Sequence, residues 1–151
     1  MNPWIIGITG IIGTIGFALL MNVQKNRLLF VGIGGMITSF SYAICLQYLE
    51  GVFIINFIPT LLSALYCEIM ARVLKAPVTV FLIPCTVVLA PGGYLYNTMY
   101  HMILGNKQEM AMYGSQTVQV AMAIALGIVV ISILFPYMRG VINRLTLKDI
   151  K

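Results

Sequence analysis

The stretch Pro77–Leu104, PVTVFLIPCTVVLAPGGYLYNTMYHMIL, decides how this chain is read. It lacks Asp, Glu, Lys and Arg throughout, yet carries Pro84, Pro91, Gly92 and Gly93 at its middle. An apolar run of this length without charge belongs in a bilayer, because hydrocarbon does not solvate an ionised side chain. Two prolines and a glycine pair are poor material for an unbroken helix. Proline lacks the N–H and clashes with the carbonyl four residues back, and glycine adds backbone freedom. Broken backbone at membrane depth persists only where protein or a water-filled cavity satisfies it. The motif therefore points to a solute path, with a simple proline kink buried between helices as the alternative.

Outward from this stretch the whole chain has the same character. Of 151 residues, 60% are hydrophobic and 9% charged, and the mean hydropathy is +0.98. A soluble domain carries about 25% charged residues. Five stretches lack Asp, Glu, Lys and Arg: 1–24, 28–49, 51–67, 76–106 and 110–138. Each supplies the roughly 20 apolar residues of a spanning helix, the third by running a little past Glu68. The expected fold is an all-α polytopic membrane protein of about five transmembrane helices, the fourth broken. Residues 1–151 read as one membrane domain, with helices near 3–21, 28–49, 52–71, 78–104 and 117–138 and a basic tail over 139–151.

The net charge of +5 is explained by its placement, without nucleic acid. Lys25 and Arg27 follow the first span, Arg72 and Lys75 the third, and Arg139, Arg144, Lys148 and Lys151 the fifth. The connection after the second span holds Glu50, and in that after the fourth Lys107 is offset by Glu109. By the positive-inside rule the N-terminus lies outside and the C-terminus in the cytoplasm. Trp4, Tyr48, Tyr100 and Tyr113 then fall near the outer interface, where amphipathic rings favour the headgroups. The first run lacks a preceding Lys or Arg and a small-residue cleavage site, so it reads as a retained helix. The tail past Pro136 interleaves Val141, Ile142, Leu145 and Ile150 with Arg144 and Lys148, which suits the anionic inner leaflet.

Gly7, Gly10, Gly13 and Gly16 recur every third residue in the first span, and Gly32, Gly35, Thr38 and Ser41 repeat the device in the second. Small residues permit close helix approach in lipid, and packing is the expected role. Cys45, Cys67 and Cys85 sit in different apolar runs without metal-ligand spacing and read as filler. No metal or cofactor is expected. Glu68 and Arg72 lie four apart near a membrane face, where an interfacial ion pair competes with a proton-titrating carboxylate. Asn56 reads as interhelical glue.

A break at Pro91 lies about 14 residues past Pro77, or about 20 Å along an ideal helix, still inside a core about 30 Å thick. Pro84 removes the hydrogen bond to Val80, and Pro91 the one to Val87. Carbonyls near Val87 and Val88 become a negative half-helix end, and the N–H groups of Gly92, Gly93 and Tyr94 a positive one. Such a pair suits a zwitterion. Tyr94, Tyr96, Asn97, Thr98 and His101 follow on the outer half. His101 reads as a packing residue first and a proton carrier second. No nucleophile–base pair or metal set accompanies them, which argues against an enzyme.

The run IPCTVVLAPGGYLYNTM (83–99) resembles the signature of the threonine/serine exporter family: Ile-Pro, a short apolar spacer, Pro-Gly, then an aromatic residue. TIGFALLMNVQKNRL (14–28) and CEIMARVLKAP (67–77) extend the resemblance from the first span through the fourth. The chain is similar in length and layout to the small, YjjB-like members, which correspond to the second five-helix half of longer ones. The resemblance implies a larger, YjjP-like membrane subunit carrying the complementary half, and homo-oligomers of this half stay open. It implies proton-coupled export of small amino acids, or of C4-dicarboxylates such as succinate, across a bacterial plasma membrane. Pro84, Pro91, Gly92 and Tyr94 occupy the family pattern; Gly93 is particular to this chain. A non-transporting scaffold subunit is the alternative.

Overall fold

The computed structural model describes residues 3–146, with side chains described over 4–137. Six helices follow one another: α1 (Pro3–Leu20), α2 (Lys25–Tyr48), α3 (Val52–Val73), α4 (Thr79–Val87), α5 (Gly92–Ile103) and α6 (Lys107–Thr146). The fold is all-α, with no strand among the described residues. The helices α2, α3 and α6 are long and apolar enough to cross a membrane, and α4 with α5, bent by 52° at the break, makes a fourth span if the pair crosses as one. The apolar part of α1, Trp4–Leu20, reaches about 26 Å, near the lower limit for a span.

Three of the helices end in the same backbone closure. After α1, Val23 N–H donates to the Ala18 carbonyl and Asn22 takes φ 55°. After α3, Ala76 N–H donates to the Ala71 carbonyl with Lys75 at φ 47°. After α5, Asn106 N–H donates to His101 and Gly105 N–H to Met102, with Gly105 at φ 73°. Each is a Schellman closure, in which a left-handed residue lets the chain satisfy the last carbonyls.

The last helix departs from expectation. It starts at Lys107 instead of near 117 and runs through Pro136 to Thr146, 40 residues in all. Asn106 caps it, its Oδ1 accepting from Glu109 N–H at 3.4 Å, and the Asn-x-x-Glu spacing is that of a capping box. Lys107 and Glu109 are thus in the first turn of α6 and not in a loop. At about 60 Å the helix is roughly twice the hydrocarbon thickness. The side chains of the expected amphipathic tail lie outside the described residues.

The bundle core forms around α4. Phe81 and Cys85 of α4 are fully buried with Ala18 of α1, Val31 of α2 and Cys67 of α3. Thus α4 packs on α1, α2 and α3, whereas α5 packs on α6. The break between them transfers the chain from one side of the bundle to the other. Large apolar side chains such as Trp4, Leu20, Leu29, Tyr48 and Ile133 are exposed around the outside, as befits a surface solvated by hydrocarbon.

The α1–α2 contact uses small residues in a reciprocal way. Thr14 Oγ1 donates to the Gly10 carbonyl at 2.9 Å and Ser39 Oγ to the Gly35 carbonyl at 2.7 Å. A methyl at Gly10 would meet Ser39 Cβ at 2.7 Å, and one at Gly35 would meet Thr14 Cβ at 2.6 Å. A methyl at Gly7 would meet the Phe40 ring at 2.9 Å, and one at Gly32 would make ordinary contact with Ile15 at 3.5 Å. A methyl at Gly13 or Gly16 would meet nothing within 4 Å, so the packing expected of these two finds no partner within this chain. A three-residue step falls about 60° short of a full turn, so the row winds off the α2 face.

Candidate functional site

The break between α4 and α5 opens onto a partly open cavity of about 310 Å³. The segment Val88, Leu89, Ala90 and Pro91 forms one wall, and Gly93, Tyr94 and Asn97 of α5 continue it. Tyr42 of α2 and Asn56 of α3 face it, with Tyr113 and Val120 of α6 closing a third side. Among the described residues, none of those lining it carries a formal charge.

Local hydrogen bonding explains the shape of the break. Leu89 N–H donates to the Thr86 carbonyl at 2.9 Å and Ala90 N–H to Val87 at 3.1 Å, tightening the end of α4. Gly92 N–H turns back to Ala90 at 2.8 Å, and Leu95 N–H to Pro91 at 2.9 Å opens α5. The exposed half-helix ends therefore differ by one residue from expectation. The Val87 carbonyl and Gly92 N–H are both occupied. Among the described residues, the Val88 and Leu89 carbonyls and the Gly93 and Tyr94 N–H groups keep no hydrogen-bond partner. All four residues line the cavity, so a negative and a positive backbone end meet there.

The site residues expected from sequence divide. Pro91, Gly93, Tyr94 and Asn97 come together at the cavity. Pro84 does not; it is buried within α4, which runs through it. Gly92 is exposed and off the cavity wall. Glu68 is buried toward the opposite end of α3 and pairs with Arg72, Oε2 to Nη1 at 2.6 Å. The same guanidinium donates to the Glu68 carbonyl at 3.0 Å and lies 4.3 Å over the Phe135 ring, tying α3 to α6. This is the ion-pair arrangement that the i,i+4 spacing allows.

His101 is one ring removed from the cavity. It stacks on Tyr113 at 5.4 Å and meets Tyr100 edge-on at 5.3 Å. Its Nδ1 is buried without a partner among the described residues.

Tyr42, Asn56 and Val120 complete the far side, a cavity role not expected from their positions in the chain. Asn56 is a lone amide in an apolar run, which marks it as special without saying where it points. Tyr42 lies four residues past the buried Thr38, so a polar stripe on α2 was the available signal.

The comparisons with known proteins fit this picture. A sequence model of the family described as Threonine/Serine exporter, ThrE, matches residues 7–134. Comparison with curated proteins and with solved structures gave no significant match. The family match takes in α1 through most of α6, including the break and every side chain around the cavity, and the chain belongs to the threonine/serine exporter family.

Proposed function

We propose that this chain is a subunit of a proton-coupled exporter of small polar metabolites, amino acids such as serine and threonine ahead of dicarboxylates such as succinate. The observation that carries the reading is the uncharged polar cavity at the helix break, with free backbone donors at Gly93 and Tyr94 and free acceptors at Val88 and Leu89. A carboxylate suits the donors and an ammonium the acceptors. A dicarboxylate calls for two positive groups, and the cavity wall offers one backbone donor end and no cationic side chain.

The cavity is only partly enclosed by this chain, which supports a larger membrane subunit with the complementary five-helix half as its other wall. With Lys25, Arg27, Arg72 and Lys75 on the cytoplasmic face, the cavity lies in the outer half of a bacterial plasma membrane and the N-terminus is outside. Glu68 then sits about 18 Å further along α3 than Asn56, toward the cytoplasm. Glu68 and His101 are the candidates for proton linkage.

The test is metabolite release. Cells lacking the chain and cells with it restored are compared by mass spectrometry of the medium. Loss and recovery of one small acid supports export and names it. An unchanged profile, with the partner present, moves the assignment to a scaffold subunit.

A further inference from the structure

Asn56 and Asn97 reach the same cavity from α3 and α5, and their amides are held alike. Asn56 Nδ2 donates to the Val52 carbonyl at 2.8 Å, and Asn97 Nδ2 to the Gly93 carbonyl at 2.8 Å. A carbonyl only accepts, so the NH₂ end of each amide has to face its own helix. That leaves each Oδ1 as the free polar end, bonded to nothing among the described residues. Asn56 is 3% exposed, and it lines the cavity, so its remaining polar atom has little but the cavity to face. The bond back to its own helix fixes each oxygen before a solute arrives, which lowers the ordering cost of binding.

We propose that Asn56 Oδ1 and Asn97 Oδ1 form an ammonium clamp that selects amino acids over acids of similar size without the amine. An ammonium has three donors and no acceptor, so two amide oxygens with the Val88 or Leu89 carbonyl satisfy it. A hydroxyl in its place brings one donor and leaves the other acceptors unpaired once the solute fills the cavity. Discrimination by unpaired buried polar groups exceeds what shape alone gives. The clamp rests on the export reading above and assigns specificity to two side chains within it.

The test compares export of L-serine with export of glycerate, which carries a hydroxyl where serine has the ammonium. It uses the full chain with its partner, membrane levels being checked by immunoblot. Wild type is expected to favour serine, and Asn56→Leu and Asn97→Leu each to lower the serine-to-glycerate ratio roughly tenfold or more, through serine. Asn56→Asp and Asn97→Asp keep an acceptor but cannot donate to the helix carbonyl. They retain the ratio if the oxygen binds solute, and collapse it like leucine if the amide serves only its own helix. Serine export with equal passage of glycerate, an unchanged ratio in the leucine variants, or collapse in the aspartates overturns the clamp and leaves export standing. Export of no amino acid by wild type overturns both.

Discussion

Asn97 donates its side-chain amide to the Gly93 carbonyl at 2.8 Å, one turn back on α5, so the first turn after the break is held together from the wall of the cavity. Gly93 lines that cavity and its neighbour Gly92 does not. Neither has a positive φ, and an added methyl at either meets nothing within 4 Å.

This makes the glycine pair a clean comparison. Gly92→Ala and Gly93→Ala should both fold, with thermal midpoints at or slightly above wild type because alanine favours helix by up to about 1 kcal/mol. Export should be kept by Gly92→Ala and lowered roughly tenfold by Gly93→Ala, whose methyl occupies solute space. Equal behaviour of the two variants in a transport assay counts against the cavity.

The α1–α2 glycines separate into two classes by contact. Gly35→Ala places its methyl 2.6 Å from Thr14 Cβ and should destabilise the protein by about 1–3 kcal/mol through overpacking. Gly13→Ala and Gly16→Ala, in open space, should stay within about 0.5 kcal/mol of wild type in this chain. Unfolding in detergent micelles measures both. A strong effect at Gly13 or Gly16 on assembly but not on unfolding would mark that face as a contact with another chain.

At the other end of α3, Arg72 is bound to Glu68 and to Phe135. Arg72→Ala leaves a buried carboxylate without its partner and should cost more stability than Arg72→Lys, which keeps the charge. The double variant Glu68→Gln with Arg72→Ala should recover part of the loss, since it removes the unpaired charge. Phe135→Leu should cost about 0.5–2 kcal/mol through the lost cation–π contact. Additive losses in the Glu68 and Arg72 pair would contradict the coupling.

The break in the fourth span was legible because Pro91 lacks the N–H and the glycines add backbone freedom whatever surrounds them. Its exact register was not, because Ala90 and Gly92 turn inward to each other at 2.8 Å, a closure that many dipeptides can make. Pro84 removes a helix hydrogen bond just as Pro91 does, yet the core around Phe81 and Cys85 holds α4 helical through it. The early start of α6 was written in Gly105, Asn106 and Glu109 and is recoverable from capping alone. Tyr42 and Asn56 were not recoverable as cavity residues. Their role depends on which faces of α2 and α3 meet the break, a tertiary fact that local pattern does not carry.

Solute protection of a cysteine at the break shows whether solute reaches the cavity. Cys45, Cys67 and Cys85 are buried and contribute little background to a small thiol reagent. Gly93→Cys and Gly92→Cys are labelled in membranes with and without L-serine. Serine should slow labelling at position 93 and leave position 92 unchanged. Labelling at 93 that is indifferent to serine, in a protein that exports it, would contradict the claim that solute passes through this cavity.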